Sequence, residues 1–274
     1  MEESSLNRIF TTSQFVSFVN QNRAGPGGFY PVFLSLNSEG TRIMLSKRLE
    51  QLADYLQEPI YFADIGSDHA YLPCYVCARH ENATAIAGEV NQGPFERAKQ
   101  TVREQGLGDR IEVRKGNGLE VIREEEEVNQ ITIAGMGGKL IRTILEEGKS
   151  KLSGVSRLIL QPNIDGPIVR KWLIEHQYQI VAEDIISEDG YIYEIIVSDY
   201  RNAPIELSGR EQLFGPYLLK KKSNVFYEKW FNEKEKRMKL INQMNQATDL
   251  PIEKIKKLEI EMEWIEEVIG DDDR

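Results

Sequence analysis

Five short apolar runs, each followed by a helical pattern, constrain this chain more than anything else in it. The runs are 60–65 (IYFADI), 84–89 (TAIAGE), 110–115 (RIEVRK), 130–134 (QITIA) and 157–161 (RLILQ). Helical patterns occupy 72–80, 93–106, 118–124, 138–149 and 166–176. Such alternation predicts βαβ units around a parallel sheet, and right-handed crossovers wind it doubly. Two more strands, 178–187 and 191–199, follow with only Glu188–Gly190 between them. A link that short forces an antiparallel pair. The expectation is an α/β fold with a seven-stranded, mostly parallel sheet.

The flanks read differently. Residues 1–43 include "NQNRAGPGGFYPVFLSLNSEGTRI", rich in Gly, Pro and Asn and without a sustained period. From Met44, "MLSKRLEQLADYLQ" sets Leu45, Leu49, Leu52 and Leu56 at helical spacing. Met44 is therefore a candidate start, with 1–43 either a loosely ordered arm or a mis-assigned extension. Beyond residue 208 the strands stop. Two helical segments flank "NQATDLP", and in the second Ile255, Leu258, Met262, Ile265 and Ile269 step by three and four. The expected layout is a sheet domain over 44–207 and an antiparallel, coiled-coil helical domain over 208–274.

Charge is uneven along the chain. The net charge is −10, which excludes a protein coated in positive charge but not a local basic patch. Residues 210–239 carry nine Lys or Arg against four acids; residues 249–274 carry four against ten. Lys220, Lys221, Lys222 and Lys229 are thus the candidate phosphate contacts. The interleaved Phe226, Tyr227, Trp230 and Phe231 are read chiefly as packing residues. No apolar run approaches the roughly 18–20 residues of a membrane span, and residues 1–30 lack a signal-peptide pattern. Cys74 and Cys77 make no disulfide framework, so a reducing cytoplasm is the simplest address. His69, Cys74, Cys77 and His80 resemble a metal set only in composition. Both cysteines fall within one helix, and buried thiols are the preferred reading, with no metal. The run Glu124–Glu127 reads as a solvated loop.

In an open α/β sheet, ligands bind beyond the carboxyl ends of the strands. Four motifs fall there: "ADIGSDHAYLP" after the first strand, Glu89 ending the second, "KGNGLEV" after the third and "IAGMGGKL" after the fourth. "QPN" ends the fifth. Each is weak alone; together they occupy one edge in order. A dinucleotide loop would carry more glycines for a pyrophosphate. Here Asp64 and Asp68 flank Gly66 and would repel phosphate. The pair suits a cationic, phosphate-free ligand, and S-adenosylmethionine has that chemistry. An acid at Glu89 can accept both ribose hydroxyls.

With these residues assembled, the chain resembles the TrmK family of bacterial tRNA (adenine(22)-N(1))-methyltransferases. The likeness runs from "LSKRL" through "ADIGSDHAYLP", "AIAGEV", "QGPF", "ITIAGMGG" and "LILQPN" to "GPYLLKKKSNVFYEKW", about residues 44–270. It implies a class I Rossmann-like methyltransferase domain, a coiled-coil tail that helps hold tRNA, and S-adenosylmethionine as cofactor. Carried over by position, Asp64, Gly66 and Asp68 line the methionine end and Glu89 takes the ribose. Asn117 and Gly118 meet the adenine, and Ala134, Gly135 and Met136 complete the cofactor site. The family usually has Asp where this chain has Asn117. An amide oxygen still accepts from the adenine amine but without charge, so somewhat weaker cofactor binding is expected. A monomer is expected.

Adenine N1 has its own lone pair, so positioning can supply much of the acceleration. It lies on the Watson–Crick edge, so the base must be unpaired or turned out. Tyr71 is the candidate for stacking or orienting the base, and Asp68 or His69 for contacting it or accepting its proton. The bland readings are a helix-start role for His69 and core packing for Tyr71. Three alternatives stand beside this one: a methyltransferase for another RNA base or a small molecule, a non-enzymatic RNA-binding relic, and a nicotinamide oxidoreductase. The acids of the first turn and Glu89 weigh against the last two.

Overall fold

The computed structural model describes residues 33–37, 40–204, 206–246 and 251–270. The expectations for residues 1–32 lie outside the described residues. Strands β1 (Phe33–Asn37) and β2 (Gly40–Met44) form an antiparallel hairpin. Helix α1 (Lys47–Ala53) starts after Met44, at the point where the Ser46 hydroxyl accepts from the Leu49 amide at 3.4 Å.

The main sheet contains β3 (Tyr61–Ile65), β4 (Thr84–Glu89), β5 (Ile111–Lys115), β6 (Gln130–Gly137), β7 (Arg157–Ile164), β8 (Tyr178–Glu188) and β9 (Tyr191–Tyr200). Their order is β5-β4-β3-β6-β7-β9-β8. The first five are parallel, and β9 is antiparallel to both β7 and β8. This is the expected Rossmann-like sheet. Helices α2 (Tyr71–Arg79), α3 (Gln92–Glu104), α4 (Gly138–Glu147) and α5 (Gly166–Glu175) make the crossovers. Because helices cover it, the sheet buries continuous apolar runs rather than alternating ones. Ile131, Ile133, Leu158 and Leu160 pack in one core with Ile141, Leu145, Trp172 and Leu173.

Two boundaries differ from the sequence reading. The helix expected over 118–124 is a short 3₁₀ turn, Gly118–Val121. Leu119, Val121 and Ile122 are all buried, and so dense a run cannot share one helical face. Strands β6 and β7 each run three residues longer than expected. Met136 pairs with Pro162 and Gly137 with Ile164, across an irregularity at Ala134–Met136. The glycine-rich segment and "QPN" are therefore strand extensions.

The tail comprises α6 (Gly209–Phe214), α7 (Leu218–Lys221), α8 (Asn224–Met244) and α9 (Ile252–Gly270). Lys234 pairs with Glu266 and Arg237 with Glu261, so α8 and α9 run antiparallel. Ile255 and Ile265 of the heptad-like seam are buried, and Leu258, Met262 and Ile269 half-buried. A second core joins Phe214, Phe226, Trp230, Ile265 and Val268 to Ile185 of β8. The tail thereby covers an edge strand. Beneath it, fully buried Arg170 donates to Glu183 at 2.7 Å and to Glu194 at 3.0 Å. Lys229 of α8 also pairs with Glu194, and the Tyr217 amide donates to Glu183 at 2.9 Å. Among the described residues, no helix is long and apolar enough to cross a membrane.

Candidate functional site

The turn after β3 is built around a buried acid. Asp64 is 5% exposed, and the hydroxyls of Ser67 and Thr132 each donate to it at 2.6 Å. Burial pushes its carboxyl above the ordinary range; Ser67, Thr132 and Arg48 pull the other way, and Asp68 adds to the rise. Gly66 adopts φ +72°, and an added Cβ would lie 2.1 Å from Met136 Cε. The Met136 methyl is the flexible end of a side chain and can shift, so it is the positive φ that favours glycine here. The Gly66 and Ser67 amides both donate to the Gly88 carbonyl, at 2.9 and 3.0 Å, tying the turn to the end of β4.

Past Gly66 the chain makes a tight turn, with Asp68 at φ 53° and Ala70 at φ 56°. Asp68 remains exposed and pairs with His69 Nδ1 at 3.0 Å. His69 Nε2 meets Arg97 Nη1 at 3.3 Å. A guanidinium only donates, so Nε2 accepts, and the proton sits on Nδ1 facing Asp68. Tyr71 lies parallel to the His69 ring, with centroids 5.1 Å apart. Burial raises its phenol, with Asp68 reinforcing and Arg97 opposing. Sequence reading missed Arg97. It lies 28 residues from His69, and only the packing of α3 on α2 brings them together.

The other expected residues lie along the same edge. Glu89 is 6% exposed, and the Asn91 amide donates to it at 2.8 Å. Asn117 is exposed at the start of the 3₁₀ turn, its amide donating to Glu120 at 3.3 Å. Arg114 fixes that turn by donating to the Val121 carbonyl at 2.7 Å. It also grips Glu126, whose carboxyl is held down to about 2 by the Arg114 hydrogen bonds. Glu126 is thus a strut within the run expected to be solvated. Gly118 packs on Ile144. Ala134, Gly135 and Met136 form the β6 extension facing Gly66.

Beside them runs a second line of polar side chains. Arg48 Nη1 donates to Gln161 Oε1 at 2.5 Å, and the Gly135 amide donates to the same oxygen at 2.9 Å. Gln161 Nε2 donates to Asn163 Oδ1 at 3.0 Å, and Asn163 Nδ2 donates to the Gly135 carbonyl at 2.8 Å. "LSKRL" and "QPN" were legible as motifs, yet nothing in their spacing joins residues 113 positions apart.

The lysines lie on the tail, in α7, α8 and the turn between them. Lys220 and Lys221 are exposed, and Lys221 pairs with Asp184 at 2.9 Å. Lys222 is half-buried. Lys229 is committed to buried Glu194. Phe226 and Trp230 are core residues and Tyr227 is half-buried, whereas Phe231 is 61% exposed. Cys74 and Cys77 are buried in α2, their thiols raised by burial to about 12 and about 11.

Comparison with known proteins identifies the family. A family model described as TrmK, tRNA (adenine(22)-N(1))-methyltransferase, matches residues 62–267. The tRNA (adenine(22)-N(1))-methyltransferase of Bacillus subtilis strain 168 is 46% identical over 233 residues, 83% of this chain and 98% of that relative. The structure of Streptococcus pneumoniae Sp1610 in complex with S-adenosyl-L-methionine superposes with a TM-score of 0.74 at 43% identity, covering 82% of this chain and all of that one. M. capricolum TrmK in complex with S-adenosyl-homocysteine does so with a TM-score of 0.72 at 30% identity, covering 83% and 98%. On the family match and the near-complete coverage of a 46% identical relative, this chain belongs to the TrmK family.

Proposed function

We propose that this chain moves a methyl group from S-adenosylmethionine to N1 of an adenine in tRNA, at position 22. The observation that carries the reading is the carboxyl edge itself: an exposed acid at Asp68, a positive-φ glycine at Gly66 and a buried acid at Glu89. That donor set fits the cofactor. Asp68 faces an ammonium, the Gly66 backbone admits the methionine chain, Glu89 takes ribose hydroxyls and Asn117 takes the adenine amine. When bound, S-adenosylmethionine supplies a sulfonium methyl that the N1 lone pair attacks in line.

The chain's own residues position and deprotonate. Asp64 braces the turn from below through Ser67 and Thr132. His69, with its proton on Nδ1 and its Nε2 engaged by Arg97, has no free lone pair, so it orients Asp68. Asp68 is the group placed to take the proton that the methylated adenine sheds from its exocyclic amine. Tyr71, stacked on His69, is the aromatic surface nearest that turn and orients the base. Exposed Lys220 and Lys221 contact tRNA phosphates from the tail. The protein acts as a monomer in the cytoplasm.

The test is methyl transfer from labelled cofactor to an unmodified tRNA transcript, followed by mapping of the modified base. Label at N1 of adenine 22 is expected. Label at another base, or transfer only to small acceptors, would overturn the reading.

A further inference from the structure

The hydrogen-bonded line from Arg48 to Asn163 has a direction. Arg48 and the Gly135 amide are donors only, so Gln161 must turn its oxygen to both. Its NH₂ then faces Asn163, and Asn163 must answer with its oxygen. The other end agrees, because the Gly135 carbonyl only accepts and the Asn163 NH₂ donates to it. Both amides are fixed without ambiguity. Gln161 is fully buried, whereas Asn163 is exposed. Asn163 Oδ1 has used one lone pair and keeps the other.

Asn163 also stands in a telling place. It clasps Gly135, whose neighbour Met136 covers Gly66 in the cofactor turn. On the functional reading above, the base arrives beside this same strand extension. Among unmodified purines, adenine is the base whose N1 carries no hydrogen and so can attack, and next to that nitrogen it presents an amine. An oriented acceptor complements that amine. The bond strengthens as the ring gains positive charge, so it favours the transition state over the ground state.

We infer that Asn163 is a specificity-determining residue that accepts a hydrogen bond from the exocyclic amine of the target adenine, and that Arg48 and Gln161 are positioning residues that fix its amide. This rests on the functional reading above and names the group that reads the base.

The experiment compares tRNA carrying adenine at the methylated position with tRNA carrying purine riboside, which lacks the amine. The parent enzyme is expected to lose about tenfold in kcat/KM without the amine. Asn163→Ala should narrow that ratio roughly threefold or more, the share its hydrogen bond supplies, leaving what the amine contributes through ring basicity and proton loss to Asp68, while cofactor Kd by calorimetry stays within about twofold. Gln161→Glu keeps the oxygen for Arg48 and Gly135 but loses the donor to Asn163. It should relax the discrimination in part, with a parental unfolding midpoint. An Asn163→Ala enzyme that slows both substrates equally and keeps the parental ratio would show a merely structural role and overturn the inference. Parent enzyme that leaves adenine unmethylated would overturn the functional reading itself.

Discussion

Asp64 shows how one residue carries opposed demands. Its folded carboxyl is raised, chiefly by burial, so the native state holds that proton more tightly than the unfolded chain does. Stability from such a group is fully present below the unfolded value and is lost as pH rises through the folded one. At neutral pH the buried charge therefore costs stability. Asp64→Asn should leave the unliganded protein equally or more stable by thermal melting, because the amide is isosteric and Thr132 can still donate to its oxygen. Cofactor affinity measured by calorimetry should fall roughly tenfold. A variant that is both less stable and unchanged in affinity would contradict this account. The acid was legible in the sequence as a motif. Its partner Thr132 was not, because the two meet only through the β3–β6 pairing.

Among the elements, the extensions of β6 and β7 matter most. They hold the glycine-rich segment in a paired strand rather than a free loop. Gly138, at the start of α4, is where they touch the next turn: an added Cβ would lie 2.3 Å from the Asp165 carbonyl oxygen and 3.0 Å from that of Ile164. Backbone cannot rotate away as a side chain can. Gly138→Ala should lower unfolding free energy by about 1–3 kcal/mol and cut turnover, since moving the Ile164–Asp165 turn moves Asn163. Gly93→Ala, where the methyl meets open space within α3, should be neutral or slightly stabilising under the same denaturant titration. The strands were readable from β-rich apolar runs bounded by turn residues. Their last three residues were not, because Gly and Pro signal turns locally and the pairing that overrides them is long-range.

At the scale of the whole molecule, the tail is joined to the sheet by an apolar core and a buried charge cluster. Burial alone would raise the Glu194 carboxyl; Arg170 and Lys229 together outweigh it and hold it below its ordinary value. That stability is present above the unfolded carboxyl value and lost as pH falls through the folded one. Lys229→Met should cost about 1–3 kcal/mol near pH 7, less than stranding a buried charge because Arg170 remains, and the deficit should shrink in melts taken toward about pH 3. Its tRNA binding should keep the parental salt dependence. Replacing Lys220, Lys221 and Lys222 with Gln should do the reverse: little change in melting, but a salt slope flatter by about 1–2. The strand–helix alternation and the seven-stranded, mostly parallel sheet were legible in the chain alone, because periodicity and turn residues are local properties, and the motifs carried the resemblance that implied S-adenosylmethionine. That Lys229 faces a buried acid, that Arg97 fixes the His69 tautomer and that Arg48 reaches Asn163 through Gln161 emerges only from the packed fold. Those contacts join residues 28 to 113 positions apart, and their geometry exists only once the sheet has formed.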